Sequence, residues 1–248
     1  MEYGFCYVSI SPVRSDKKDQ SEIVTQLLFG EIVSILELDA PWAKVSSISD
    51  SYEGWIDHKH IKKLTQKEVR RWSEGLSFSK DRERLIQTPW GRQWICQGSF
   101  VPENEESFNI GADHFAWLEP TTQTFDSIWN CGESYLNTPY LWGGKSPFGI
   151  DCSGLTQAVY RFFDINLPRD ASQQVLEGTE VEFGEQQSGD LAFFENSAGK
   201  IIHVGILDDQ GHILHASGHV RKDLISREGI VHSETGELTH KLTTIKRW

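Results

Sequence analysis

The sequence DCSGLTQAVYRF, residues 151–162, decides how the C-terminal half of this chain is expected to fold. Its apolar residues recur at positions 155, 158, 159 and 162, the i, i+3, i+4, i+7 spacing of a helix with one buried face. Asp151 can cap the helix start, so Cys152 falls in the first turn. The unpaired amide groups and partial positive charge of a helix start favour a thiolate. Cys152 is therefore either a nucleophile or a buried structural cysteine, since free cysteines are commonly buried.

Two histidines follow on what the pattern predicts to be neighbouring strands. Residues 201–207, IIHVGIL, alternate between two faces, and His203 shares its face with Gly205. Residues 208–211 predict a turn into a second strand at 212–216. In a hairpin around that turn, paired residue numbers sum to about 418 or 419, which sets His203 opposite His215 or Ala216. The two imidazoles are thus expected side by side on one face of the sheet.

One thiol and two imidazoles in this relation suit nucleophilic catalysis. Histidine can hold the thiol proton and then protonate a leaving amine, which makes His203 the candidate base. A third polar group must fix the orientation and tautomer of that ring, and His215 is the candidate. Zinc held by Cys152, His203 and His215 is the competing interpretation, but their spacing fits no common zinc pattern. We expect no metal and no cofactor.

The remaining C-terminal sequence predicts both helices and strands. A helix is expected from about residue 126 until before Pro139, and a second one at 171–177 with Asp170 as its cap. Further strands are expected at 190–194 and near 242–246. Helices followed by consecutive strands indicate an α+β domain, with helices packed on an antiparallel sheet.

The N-terminal sequence predicts a small β-barrel over residues 1–64, from short strands separated by turn residues. These strands are expected at 5–10, 23–28, 32–38, 42–48 and 54–56. Residues 65–68 match a capping box that begins a short linker helix. Strands are also expected at 93–101 and 108–117, around a polar turn at 103–106, as a partial second barrel or an extension of the first. The expected division is 1–64, 65–123 and 124–248.

Composition limits the classes of partner. The 248 residues include 24 Lys and Arg against 36 Asp and Glu, a net charge of −12, which repels phosphate backbones and argues against nucleic-acid binding. No stretch approaches the roughly 20 apolar residues of a membrane helix. The N-terminus lacks a basic region followed by an apolar run, so we expect a cytoplasmic protein unless a leader has been removed. We also expect a monomer without membrane contact. Cys6, Cys96 and Cys131 are expected to be small buried hydrophobic residues, not disulfide partners.

Five short motifs together resemble the NlpC/P60 cysteine peptidases. They are YLWGG at 140–144, DCSG at 151–154, GDL at 189–191, HVGI at 203–206 and HAS at 215–217. Near the N-terminus, WAKV at 42–45 and YEGWI at 52–56 resemble a bacterial SH3-like (SH3b) module. The branch of the family with such modules comprises γ-D-glutamyl-L-diamino acid endopeptidases, also called dipeptidyl-peptidase VI. The resemblance implies a papain-like catalytic domain preceded by a small SH3-like β-barrel.

The resemblance also implies roles for residues around the cysteine. It makes Cys152 the nucleophile, His203 the base and His215 the third catalytic polar residue. Tyr140 would help to hold the oxyanion, alongside amide groups at the helix start, or else be a packed core tyrosine. Trp142 would form an aromatic wall of the substrate cleft, or else simply pack in the core.

A second group of residues is implied in substrate binding. Asp151 and Ser153 flank the nucleophile at substrate-contacting positions, although Asp151 can equally be only the helix cap. In this branch a carboxylate meets the free N-terminal amine of the substrate, because a buried ammonium group requires an anionic partner. Asp170 matches that position.

The SH3b module of this branch adds a tyrosine and an acidic residue to the same amine pocket. Tyr52 matches the tyrosine, whereas the acidic position falls on Val24, and Glu22 is the candidate substitute. The implied partner is a murein peptide, L-Ala-γ-D-Glu-diamino acid, with the barrel closing the cleft so that a dipeptide is released during recycling. The alternatives are a papain-like amidase or acyltransferase, and an SH3b module that binds wall peptides beside an idle catalytic domain.

Overall fold

The computed structural model of the protein describes residues 2–102 and 105–248, so residues 103 and 104 of the expected polar turn lie outside it. The chain divides into two compact units, Met1–Thr124 and Phe125–Trp248, each with its own hydrophobic clusters. Strands dominate, and about 13% of the chain is helical. Within the described residues, no helix has the length and hydropathy needed to cross a membrane. All four cysteines are buried, and within the described residues no two of them form a disulfide.

The first sheet of the N-terminal unit is antiparallel, in the order β3-β2-β6-β5-β4-β1-β7. Its strands are β1 (Glu2–Cys6), β2 (Ile10–Arg14), β3 (Ile23–Leu28), β4 (Ile32–Asp39), β5 (Trp42–Ser47), β6 (Glu53–Asp57) and, after a 3-10 turn at His58–His60, β7 (Ile61–Leu64). The strand expected at 5–10 is wrong, because β1 ends at Cys6 and β2 begins at Ile10. Pro12 and Arg14 conceal β2 in the sequence, although Ser11 and Val13 alternate as its buried face.

The following segment extends the hydrophobic core of that sheet. Helix α1 (Gln66–Ser73) begins with the expected capping box, in which Thr65 and Glu68 bond each other's backbone amides. The strands are β8 (Leu76–Phe78), β9 (Glu83–Thr88), β10 (Gly91–Cys96), β11 (Phe100–Pro102), β12 (Ser107–Ile110) and β13 (Asp113–Trp117). They form a sheet in the order β10-β9-β13-β12 and a separate pair, β11-β8. Phe115 contacts Phe5 of β1 and Phe29 of the turn after β3 edge-on, which joins the two layers.

Two long strands predicted from the sequence of this segment are each divided into shorter elements in the structure. The strand expected at 93–101 is broken after β10, where Gly98 has a φ of +85° that favours glycine. The strand expected at 108–117 is the hairpin β12–β13, which turns at Gly111. Both expectations are wrong in the same way, because a turn glycine inside an apolar run is easily overlooked.

The C-terminal unit is built around a closed antiparallel sheet. Its elements are α2 (Ile128–Glu133), β14 (Lys145–Ser146), β15 (Gly149–Ile150), α3 (Cys152–Arg161), α4 (Ala171–Gln174), β16 (Thr179–Val181), β17 (Leu191–Glu195), β18 (Ile201–Leu207), β19 (His212–Ser217), β20 (His219–Ile225), β21 (Gly229–Val231) and β22 (Leu238–Arg247). The sheet order is β16-β22-β17-β18-β19-β20-β21, and β21 pairs with β22 as well. This last pairing closes β17 to β22 into a six-stranded barrel with β16 beside it.

Two sides of this sheet have different neighbours. Leu155 and Val159 of α3 share one hydrophobic cluster with Val204 and Ile206 of β18. The alternate residues of the strands, such as Leu207, form a second cluster with Phe194, Ile213, Ile230 and Ile245. His203 has the parity of this second set, and Val204, the next residue of β18, belongs to the cluster with α3.

Several boundaries in this unit differ from expectation. Helices α2 and α4 are shorter than the helices expected from 126 and at 171–177, because turns replace their last residues. β22 begins at Leu238, earlier than the strand expected near 242–246. β20 and β21 were not expected at all. β20 reads HVRKDLI, and its buried face includes Asp223, so the apolar alternation that marks a strand is absent.

Candidate active site

Asp151 forms the start of the cysteine helix as expected. Its backbone is extended, and its Oδ1 accepts the amide of Gly154 at 2.7 Å, which makes it the N-cap of α3. Cys152 is the first residue of the helix and only 7% exposed. The backbone N–H of Val204, next to His203 on β18, donates to its sulfur. This contact brings the thiol to the strand that carries the candidate base.

Burial determines the protonation state of the thiol. Together with the negative charge of Asp151, it raises the pKa of Cys152 to about 12. The amides of Val204 and Ser153 and the positive charge of Arg169 lower the pKa but do not offset burial. The expected preference of the helix start for a thiolate is therefore outweighed, and the resting site holds a neutral thiol.

The two strand histidines meet, although through a register that differs from the expected one. Ile206 pairs with Leu214 and Leu207 with Ile213, so paired numbers sum to 420 and not to 418 or 419. His203 and His215 are therefore diagonal neighbours, and His203 Nε2 lies 2.8 Å from His215 Nδ1. Both side chains are buried.

Gly205 explains why these rings can approach each other. Continued along the strands, the register puts His215 opposite Gly205. A Cβ at Gly205 would lie 2.9 Å from the Cβ of His215 and 2.7 Å from two side-chain carbons of Ile213. The space beside the histidine pair thus exists because position 205 has no side chain.

Asp223 on β20 continues the chain of hydrogen bonds. Its Oδ2 lies 3.0 Å from His215 Nε2, and its Oδ1 accepts from the Arg221 guanidinium at 3.0 Å and the Ser233 amide at 2.8 Å. Burial alone would raise the pKa of Asp223, but the hydrogen bonds from His215 and Ser233 outweigh it and hold the pKa well below its usual range. Sequence reasoning missed Asp223, because β20 was not recognised as a strand.

His240 on β22 is a second residue that sequence reasoning missed. Its ring stacks on His203, with 4.3 Å between centroids, and its Nδ1 lies 2.9 Å from the Thr239 hydroxyl. Burial lowers the pKa of His203 well below its usual range, and the rings of His215 and His240 lower it as well. Burial, followed by His215, also lowers the pKa of His240 itself. His203 is therefore neutral and able to accept a proton.

An ion pair lies beneath the helix start. Arg169, 2% exposed, bonds both oxygens of Asp151, at 3.0 Å to Oδ1 and 2.6 Å to Oδ2, and reaches the Ser153 hydroxyl at 3.0 Å. The amide of Gly143 also donates to Asp151 Oδ2 at 2.8 Å. Asp151 and Ser153 thus lie within a buried network around Arg169, whose role the sequence did not reveal.

Asp170 follows directly and begins α4. It occupies the N-cap position and is half-buried, but in the described part of the chain its side chain makes no capping hydrogen bond. The position was expected to cap the helix, and its backbone does so without the carboxylate.

The loop before the cysteine helix presents aromatic side chains. Trp142 is 61% exposed, so packing in the core is not its role. Tyr140 is 36% exposed, and burial, followed by the charges that Cys152 and Asp151 carry when ionised, raises the pKa of its phenol to about 12. Tyr140 is thus electrostatically coupled to the candidate nucleophile. A Cβ at Gly154 would lie 2.2 Å from the Gly144 carbonyl, so this loop approaches the helix too closely for any side chain there.

Tyr52 and Glu22 lie in the N-terminal unit. Tyr52 is half-buried and precedes β6, and Glu22 is exposed and precedes β3. Because β3 and β6 both pair antiparallel with β2 at Arg14, the two residues lie at the same end of that sheet. Val24 is partly buried and packs on the core of the unit. Among the residues that the structure describes, no group of three or more His, Cys, Asp or Glu side chains is arranged to hold a metal ion.

A buried helix-start cysteine, bonded to the strand that carries one of two paired histidines, has the residue types that a cysteine hydrolase needs. The model of the NlpC/P60 family matches residues 137–239, and that of the bacterial dipeptidyl-peptidase Sh3 domain matches residues 13–61. Over 115 residues the chain is 36% identical to the probable endopeptidase NlpC of Escherichia coli (strain K12). This alignment covers 43% of this chain and 75% of that protein. The chain belongs to the NlpC/P60 family, and it is a cysteine peptidase.

Other similarities extend through both units. The chain is 26% identical over 225 residues to the gamma-D-glutamyl-L-lysine dipeptidyl-peptidase of Bacillus cereus (strain ATCC 10987 / NRS 248), covering 79% of this chain and 68% of that one. The crystal structure of an NlpC/P60 family protein from Bacillus cereus ATCC 10987 matches 99% of each chain with a TM-score of 0.80 at 20% identity. The second similarity shows the shared fold: an NlpC/P60 domain with an SH3 domain.

Proposed function

We propose that this peptidase hydrolyses the bond between γ-D-glutamate and the diamino acid of short murein peptides that carry a free N-terminal L-alanine. The observation that carries the proposal is the similarity to a gamma-D-glutamyl-L-lysine dipeptidyl-peptidase, which covers 79% of the chain and so extends beyond the NlpC/P60 match at residues 137–239. The proposed cleavage releases L-Ala-γ-D-Glu, and its proposed role is the recycling of wall peptides. The cytoplasmic location and the monomeric state stay predictions.

Acylation begins with proton transfer inside the buried site. As the Cys152 sulfur attacks the γ-carbonyl carbon, His203 takes the thiol proton, so the ion pair forms only when the C–S bond forms. The oxyanion is held by amide groups at the start of α3 and by the Tyr140 hydroxyl. The His203 imidazolium then gives its proton to the nitrogen of the diamino acid, and the C–N bond breaks.

Deacylation reverses these roles. Water attacks the thioester while His203 removes one of its protons, and the C–S bond breaks with return of the proton to sulfur. The dipeptide leaves with a new γ-carboxylate. His215 stabilises the His203 imidazolium in both steps, because the Nε2–H of that imidazolium donates to His215 Nδ1, 2.8 Å away.

The substrate amine requires a negatively charged partner. Asp170 supplies that charge in this proposal, while the roles of Tyr52 and Glu22 stay predictions from the sequence. The exposed ring of Trp142 offers an apolar wall for the peptide. Because the amine must pair with a carboxylate, a peptide with an acetylated N-terminus should be a poor substrate.

Mass spectrometry of products from a panel of defined murein peptides tests the proposal. Peptides with lysine or meso-diaminopimelate in the third position, each free and N-acetylated, should yield L-Ala-γ-D-Glu only when the amine is free. Cys152→Ala should release none. Equal cleavage of acetylated peptides would overturn the amine-pocket assignment, and a fully active Cys152→Ala variant would overturn the thiol mechanism. Peptide binding without cleavage by the wild type would favour the binding-module alternative.

A further inference from the structure

We propose that Asp223 is a positioning residue that sets the tautomers of His215 and His203 in series and thereby directs the basic nitrogen of His203. The inference rests on the proposed function for the identity of the base. Its direct support is geometric and comes from three side chains on the neighbouring strands β18, β19 and β20, all of them buried.

The direction of each hydrogen bond follows from the carboxylate. Asp223 can only accept, so His215 Nε2, 3.0 Å away, must carry a proton. A neutral His215 then has an unprotonated Nδ1, which accepts from His203 Nε2 at 2.8 Å. His203 is left with its lone pair on Nδ1. Asp223 thus determines, through His215, which nitrogen of His203 takes the thiol proton.

The two oxygens of Asp223 face different partners. Oδ1 receives the Arg221 guanidinium at 3.0 Å, the Ser233 amide at 2.8 Å and the Ser233 hydroxyl at 2.8 Å, whereas Oδ2 faces His215. Arg221 and the Ser233 amide can only donate, which holds one oxygen of the carboxylate on their side. The carboxylate is therefore fixed in orientation as well as in place.

This asymmetry makes Asp223→Asn an informative substitution. The amide oxygen must face Arg221 and Ser233, which turns the amide NH₂ towards His215 Nε2. His215 must then accept at Nε2 and carry its proton on Nδ1, and His203 must accept at Nε2 and carry its proton on Nδ1. The variant keeps the shape of the site while reversing both tautomers, so it removes the base.

Asp208→Asn is a matched control. Asp208 is also buried, its Oδ1 accepts the amides of Gln210 and His212, and its Oδ2 lies 2.8 Å from His212 Nδ1. The same amide would reverse a histidine tautomer at the turn between β18 and β19, outside the site. It reproduces the chemical change without touching His203 or His215.

Two measurements on the full chain test the inference. Two-bond ¹⁵N–¹H correlation spectra of ¹⁵N-histidine-labelled protein should show His203 and His215 protonated at Nε2 in the wild type and at Nδ1 in Asp223→Asn. Peptide cleavage by that variant should fall by about 10²- to 10⁴-fold in kcat, since a wrong tautomer costs a catalytic triad about 10⁴-fold. Asp208→Asn should keep the wild-type rate and the wild-type tautomers of His203 and His215.

The outcomes separate this inference from the proposed function. Unchanged tautomers in Asp223→Asn, or a folded variant with wild-type kcat, would overturn the inference while leaving the peptidase proposal intact. If the wild type does not cleave murein peptides, the proposed function fails, but the spectra still decide whether Asp223 sets the tautomers. Should Asp223→Asn unfold, Asp223→Glu and Ser233→Ala in the same spectra decide, because both keep a carboxylate and should retain protonated Nε2 atoms. Reversed tautomers in those variants would contradict the proposed series.

Discussion

The imidazole ring of His240 stacks on that of His203, with 4.3 Å between the centroids and 24° between the planes. Among the described residues, the aromatic neighbours of His203 include His240 on its face, His215 at nearly a right angle and Phe194 at 5.8 Å between centroids. These contacts hold the ring of the base in one orientation, and His240 is a part of this support that no local pattern in the sequence marks.

Replacing His240 should therefore weaken catalysis through the orientation of His203. Stacked aromatic pairs contribute about 0.5–1.5 kcal/mol, so we expect His240→Ala to lower kcat by up to about tenfold. His240→Phe keeps the stacking and should retain most of the activity. Peptide-cleavage kinetics on both variants check this, and an equal loss in the two variants would mean that His240 acts through its nitrogen atoms.

A methyl group at position 205 should disturb the histidine pair. In Gly205→Ala the added Cβ would lie 2.7 Å from Ile213 and 2.9 Å from the Cβ of His215, so the strands must shift. Overpacking of this kind costs about 1–3 kcal/mol, and the shift should also separate His203 from His215 and reduce kcat. Thermal unfolding and kinetics on the same preparation measure the two effects.

Gly132→Ala is the control for that substitution. Its added Cβ would meet the end of the Leu214 side chain at 2.5 Å, on the side of β19 that faces α2. It overpacks the same strand without approaching the histidines, so the folded variant should keep the wild-type kcat. Equal losses of kcat in both variants would show that any disturbance of β19 lowers kcat, whether or not it reaches the histidines.

Local periodicity predicted the elements that carry Cys152, His203 and His215, because each lies in a segment whose apolar spacing is regular. β18 is observed at the expected residues, and α3 begins at the cysteine. The relation between the histidines depended on a guess of the hairpin register, which was off by one or two residues. The prediction that His203 and His215 are neighbours on one face still held, because diagonal positions on paired strands also lie close together.

The residues that sequence reasoning missed are those whose burial depends on distant partners. Arg169 is buried only because Asp151, eighteen positions away, neutralises it. Asp223 is buried because His215, Arg221 and Ser233 satisfy both of its oxygens. Such residues interrupt the apolar pattern of their own segment, so the pattern hides them until the partners are known.

The protonation state of Cys152 leads to a prediction about its reactivity. A thiol pKa of about 12 means that the thiolate fraction of the resting enzyme rises about tenfold per pH unit from neutral pH upward. We expect the rate of alkylation by iodoacetamide to rise steadily with pH and to stay below that of an unperturbed thiol at pH 7. Mass spectrometry of the Cys152 peptide over time measures this rate. A rate that reaches a plateau at acidic pH would instead show a resting thiolate–imidazolium pair.

The buried pair of Arg169 and Asp151 should stabilise the start of the cysteine helix. Arg169→Gln leaves a buried carboxylate without its cation, which typically costs about 3–5 kcal/mol, and we expect the free energy of unfolding to fall by about 3 kcal/mol. Urea denaturation measures the change. Adding Asp151→Asn removes the unpaired charge and keeps a good N-cap, so the double variant should recover part of the loss. Lys17→Gln, which breaks an exposed pair with Asp39, should unfold like the wild type. A double variant as unstable as the sum of both single changes would show that the two charges do not stabilise each other.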